Sequence, residues 1–90
     1  MEDEYFVETG REISARIAEK IESEIYEYTS IFGAKPSYVL MSSEQKDLVS
    51  GYSTGIFEFK EISGFVGYHF KDMPVLTTNT IKRIDEIRVI

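Results

Sequence analysis

Any catalytic triad in this 90-residue chain would have to use its single histidine, His69. One imidazole cannot form a two-histidine metal site, and without cysteine there is no thiolate ligand or thiol nucleophile. His69 stands between Tyr68 and Phe70 on the less apolar face of an alternating stretch, where a surface or partly buried histidine is expected. Carboxylates are abundant, but nothing pairs them for acid–base work. Glu58 and Glu61 are three apart in a predicted strand and so point to opposite faces. The glycine-bearing stretches lack the spacing of a phosphate loop, and neither Lys60 nor Lys82 sits in one. Lys82, Arg83 and Arg88 form a small basic group near the C-terminus, with no aromatic platform to make it a nucleic-acid site. The sequence therefore assigns no catalytic residue, no cofactor-binding residue and no metal ligand.

What it does offer is charge. The formal net charge is −6. Residues 1–30 hold nine acids against Arg11, Arg16 and Lys20, which already gives −6, and the remaining residues hold seven acids and seven bases. The whole imbalance falls on an N-terminal arm and the segment after it. Such a field disfavours nucleic acid, whose proteins gain affinity by neutralising phosphates with cations. Glu19, Glu22, Glu24 and Glu27 are the candidate partner-binding residues. They suit either simple solvation or a surface that engages a basic protein.

A long helix must position those glutamates. Thr9 followed by Glu12 has the capping-box spacing. Ile13, Ile17, Ile21 and Ile25 recur every four residues, and Ala18, Tyr28 and Phe32 continue the stripe. Gly33 is placed to end the helix in a left-handed conformation, and Pro36 forbids continuation. The spacing predicts a helix over 9–33, about 35 Å long. It lacks a sustained a/d heptad, so packing on a sheet is favoured over a coiled coil.

The rest reads as sheet and short helix. Tyr38–Met41 is a continuous apolar run suited to a central strand. Ser42 and Gln45 repeat the capping-box spacing, predicting a helix over 43–50 that ends at Gly51. Residues 51–55 are rich in turn formers and predict a mobile loop. Residues 56–61 and 65–71 alternate as a hairpin about Ile62–Gly64, placing Phe57, Phe59, Val66, Tyr68 and Phe70 on one face as an aromatic bed for the isoleucine stripe. Asp72–Pro74 breaks the pattern. A strand over 75–78, a helical turn carrying Ile81 and Ile84, and a strand over 86–90 follow. Residues 1–8, with Tyr5, Phe6 and Val7, form an arm that either frays or docks.

Two segments resemble known proteins. Lys35-Pro36-Ser37-Tyr38-Val39-Leu40-Met41-Ser42-Ser43-Glu44 resembles a stretch of tailed-phage major capsid proteins, where a helix leads through Lys-Pro and a hydrophobic strand into a second helix. Phe70-Lys71-Asp72-Met73-Pro74-Val75 followed by Asp85–Ile90 is similar to a later part of such proteins and to the ends of short phage proteins, with Asp72 where glycine is usual. The resemblance covers about half the chain and rests on core and turn positions, so no functional residue carries over. It implies a small virus-derived protein, and 90 residues are too few for a capsid subunit.

The expected fold is α+β: one domain with a long N-terminal helix on a mixed four- or five-stranded sheet and one short second helix. The expected function is that of a non-catalytic phage or prophage accessory protein acting through a protein partner from phage or host, or through itself as a homodimer joined by the long helix or the hairpin edge. One alternative is an acidic inhibitor of a host nucleic-acid-binding or defence enzyme. A second is a small-ligand binder or enzyme with a site near His69 and the 51–55 loop. No apolar run reaches the roughly 18 residues of a membrane span, and the N-terminus is acidic, unlike a signal peptide. Location in the host cytoplasm or with the virion is expected.

Overall fold

The computed structural model describes residues 10–52, 55–83 and 86–90, with Tyr52 described by its backbone alone. The expected arm over 1–8, the Thr9 cap and the Ile84 position lie outside the described residues. The isoleucine stripe forms α1 (Gly10–Phe32). It ends where the glycine requires: Gly33 has φ 73°, and its N–H donates to Thr29 O at 2.9 Å.

Pro36 turns the chain into β1 (Val39–Met41), and α2 (Ser43–Tyr52) follows at once. The predicted capping box is reciprocal. Gln45 N donates to Ser42 Oγ at 3.1 Å, and Ser42 N donates to Gln45 Oε1 at 2.7 Å. Gly51 does not end this helix, which continues to Tyr52. A glycine stops a helix only when the chain turns left-handed there, and Gly51 keeps a negative φ.

Three antiparallel strands come next: β2 (Glu58–Ile62), β3 (Phe65–Phe70) and β4 (Met73–Thr77). Two tight turns join them, Ser63–Gly64 and Lys71–Asp72, and all four turn residues have positive φ. That is the conformation two-residue hairpins need. The expected break at 72–74 is therefore misplaced. Asp72 supplies the left-handed turn residue, as aspartate can, and Met73 and Pro74 already pair with Phe70 and His69. Pro74 is tolerated because β1 begins to pair only at Val75, so no ladder bond requires its missing N–H. The predicted helical turn at 79–84 is also absent among the described residues. Residues 79–83 form a turn and open chain, tied to α2 by Gln45 Nε2, which donates to Arg83 O at 3.2 Å and Glu86 O at 2.9 Å. The chain closes with β5 (Arg88–Val89), shorter than the predicted 86–90.

The strands form one mixed sheet in the order β2-β3-β4-β1-β5. β1 runs parallel to β4 and antiparallel to β5, so Val39–Met41 is internal. Alternation turns Val39, Met41, Val75 and Phe70 toward Ile17, Ile21 and Val49 in a single core, with Leu40, Pro74 and Leu76 on the opposite face. α1 and α2 lie side by side against the core face. Ser14 is fully buried at their junction, with its Oγ 2.8 Å from Gly10 O and 3.3 Å from Leu48 O.

The aromatic bed is only partly used. Phe57 and Phe70 pack edge to face, 6.3 Å between centroids, inside the core. Farther along the same face, Phe59 is 65% exposed and Val66 61%. The helices cover the Phe57–Phe70 end and stop near Tyr68, over which Lys46 of α2 sits 5.1 Å from the ring centre.

Candidate functional site

His69 is fully buried, not half-exposed as its place in the alternation suggested. The cause is the neighbouring glycine. Phe65 folds over Gly67, where an added Cβ would lie 2.8 Å from the ring, and meets the imidazole edge to face at 5.3 Å. His69 Nδ1 is 3.0 Å from Gly67 O, while Nε2 is buried without a protein partner. Side chains on both faces of β3 are thus enclosed, because Phe70 takes the helix side.

Above this face, Lys60 holds Asp72 at 2.6 Å and Glu58 at 2.9 Å. The ammonium group lowers the Asp72 pKa, and the two carboxylates raise that of Lys60, Asp72 most of all. The signs follow from linkage. Asp72's contribution is complete above the ordinary carboxylate range near 4 and fades as pH falls through its lowered folded value. Lys60's is complete below 10.5 and fades as pH rises through its raised value. Both groups are exposed, so the effect on stability is small. In Lys60→Met the Asp72 carboxyl should titrate at higher pH, read from its side-chain carbon shift by NMR; an unmoved titration would reject the contact.

Open clefts lined by described residues include the following three. One of about 450 Å³ lies between Lys20 and Glu24 of α1 and Arg83, Glu86 and Arg88. Another of about 390 Å³ includes Glu22, Ile56 and Phe70, and a third of about 220 Å³ lies at the start of α2. His69 lines none of these three. The 51–55 loop reaches the second only through Gly55, and residues 53–54 lie outside the described part. Arg83 and Arg88 share the first cleft with Lys20 and two glutamates, Arg88 being held by Glu86 at 2.8 Å, whereas Lys82 lines the third. Among the described residues no group of three or more His, Cys, Asp or Glu is placed to hold a metal ion. No described helix is long and apolar enough to cross a membrane.

The four glutamates are spread around α1. At about 100° per residue, Glu22 and Glu24 fall on opposite flanks of the buried stripe, Glu19 opposite it and Glu27 between Glu19 and Glu24. Glu22 reaches across to Lys71 beside the β3–β4 turn. Glu24 meets Lys20 at 3.0 Å on the other flank. Glu19, Glu22 and Tyr26 lie at steps of three and four, and so, nearer the end of the helix, do Glu24, Glu27 and Ile31.

That row leads to a feature the sequence pattern hid. The last two turns of α1 carry Tyr26, Ile31 and Phe32, which are 75, 70 and 65% exposed. Phe32 belongs to the stripe but, among the described residues, has its ring against Tyr28 alone, 4.5 Å between centroids. Core packing on α1 runs from Ile13 to Ile25, about 18 Å of a rod about 35 Å long, and beyond it Tyr28 and Thr29 are only half-buried. The helix outruns its sheet.

The fold is thus that of an α+β domain with two helices on one face of a mixed five-stranded sheet. Compared with known proteins, the chain matches no protein family, no curated sequence and no solved structure.

Proposed function

We propose that this chain acts by binding another protein, through the overhanging C-terminal turns of α1. The observation that carries this is the exposed Ile31 and Phe32 beside Glu24 and Glu27, an apolar strip with an acidic margin. Large apolar side chains held together in water mark contact sites more often than chance exposure does. The matching partner segment is apolar with lysine or arginine along one edge, since the rim charge sets partner choice and approach. A phage or prophage accessory role, within a host cell or with a virion, fits this reading and the capsid-like segments at 35–44 and 70–75. A basic surface that normally grips nucleic acid is one class of target, with Glu27 at the centre of the acidic margin.

The test uses immobilised protein and lysate from phage-infected and uninfected cells. Wild type should retain a protein that Ile31→Asp and Phe32→Asp lose, with circular dichroism unchanged because both sites are exposed. Glu27→Lys should weaken retention and reduce its salt dependence. Equal retention by all variants would reject this surface.

A further inference from the structure

β2 is the outermost strand, bonded to β3 on one side and to no described strand on the other. The Ser63–Gly64 turn decides which of its main-chain groups face outward. A two-residue turn with both φ values positive, here 53° and 86°, is closed by a hydrogen-bonded pair, Ile62 with Phe65. Alternation makes Lys60–Gly67 and Glu58–His69 the next such pairs. The N–H and C=O groups of Phe59 and Glu61 therefore point away from β3, to the side where no described strand pairs with them. The opposite edge of the sheet, β5, is only two residues long.

An exposed, regular edge is a template for another strand. Edge lysines usually discourage such pairing, but Lys60 is held by Glu58 and Asp72 of its own chain. We propose that the edge joins a second copy of this chain, β2 against β2 antiparallel, about a two-fold axis through Phe59. Side-chain charge selects that register. With the axis at Phe59, Glu58 faces Lys60 of the second copy and Lys60 faces its Glu58. The two Phe59 residues exchange main-chain hydrogen bonds and cover each other's rings. Moving the axis to Glu58, Lys60 or Glu61 sets that residue against its own copy, placing like charges directly opposite, which destabilises a strand pair. Among axes through the charged stretch 58–61, only the one at Phe59 sets no like charges opposite each other. The product is a continuous ten-stranded sheet with all four helices on one face, formed without the overhanging end of α1.

Light scattering and sedimentation across a micromolar to near-millimolar series test this on the full chain. Wild type should form a concentration-dependent dimer. E58K alone or K60E alone creates two like-charge pairs by symmetry and should raise the dimer dissociation constant by about tenfold or more. The exchange E58K/K60E faces opposite charges again and should restore dimerisation, although Asp72 loses its lysine. Circular dichroism and thermal melts confirm that each variant is folded. A monomer at every concentration overturns the proposal, as does a dimer indifferent to the single reversals. A dimer that the double exchange fails to restore also overturns it, because the loss would then belong to the Lys60–Asp72 contact. None of these results depends on whether α1 captures a partner.

Discussion

Ile21→Ala should lower the free energy of unfolding by about 2–5 kcal/mol, the range for truncating a fully buried large aliphatic side chain. Ile21 has no exposed surface and sits at the centre of the only core described. For a domain of this size, each kcal/mol corresponds to a shift of about 4–8 °C in Tm, and the total stability of such domains is about 5–15 kcal/mol. The variant should thus melt roughly 8–40 °C below wild type, as read by thermal denaturation, with a matching loss in urea. Ile31→Ala is the control: the same truncation on the same helix, ten residues on, at a side chain 70% exposed. It should cost no more than about 0.5 kcal/mol. Similar losses at both positions would mean that α1 is covered along its whole length and that its end is not a free surface.

Gln45→Leu should cost about 3–5 kcal/mol, although it adds apolar bulk to a buried position. Gln45 is completely buried and serves three main-chain groups: its Oε1 accepts from Ser42 N–H, and its Nε2 donates to Arg83 and Glu86 carbonyls. Leucine serves none of them, and each buried group left unpaired costs about 1–3 kcal/mol. Ser42→Ala removes only the other half of the cap and should cost about 1 kcal/mol. Hydrogen exchange separates the two variants. Gln45→Leu should release protection in β5 and β1, because the tether that leads the chain into β5 is lost. Ser42→Ala should loosen only the first turn of α2. If Gln45→Leu were no worse than Ser42→Ala, Gln45 would be a helix cap and nothing more.

These two variants mark where sequence reading succeeds and where it stops. The Ile17 and Ile21 positions were legible because a buried helix face repeats with the turn of the helix, and that repeat is written locally. The Ser42–Gln45 cap was legible for the same reason, being two residues three apart. The second role of Gln45 was not, because its carbonyl partners lie 38 and 41 residues away. Ser14 left no signal either, since a small polar residue in an isoleucine stripe looks the same at a helix junction as in water. The Lys71–Asp72 turn was missed because aspartate supplies the left-handed conformation less often than glycine, and the proline two residues on suggested a break.

Alone, the amino-acid sequence determined the α+β class, the two helices, the hairpin and the placement of negative charge on the first third of the chain, because each depends on near neighbours or simple counting. It also placed Phe59, Val66 and Phe32 on the same faces as their buried counterparts, since alternation and helical period assign faces. Only the tertiary structure decided how far each face is covered. α1 is longer than the sheet beneath it and the hairpin extends beyond the helices, so equivalent residues on one stripe end up in core or in water. Coverage depends on the lengths and positions of elements distant in the chain, and no local pattern encodes that. The same mismatch leaves the end of α1 and the edge of β2 as surfaces available for contact, while His69 is buried by Phe65 folding over Gly67.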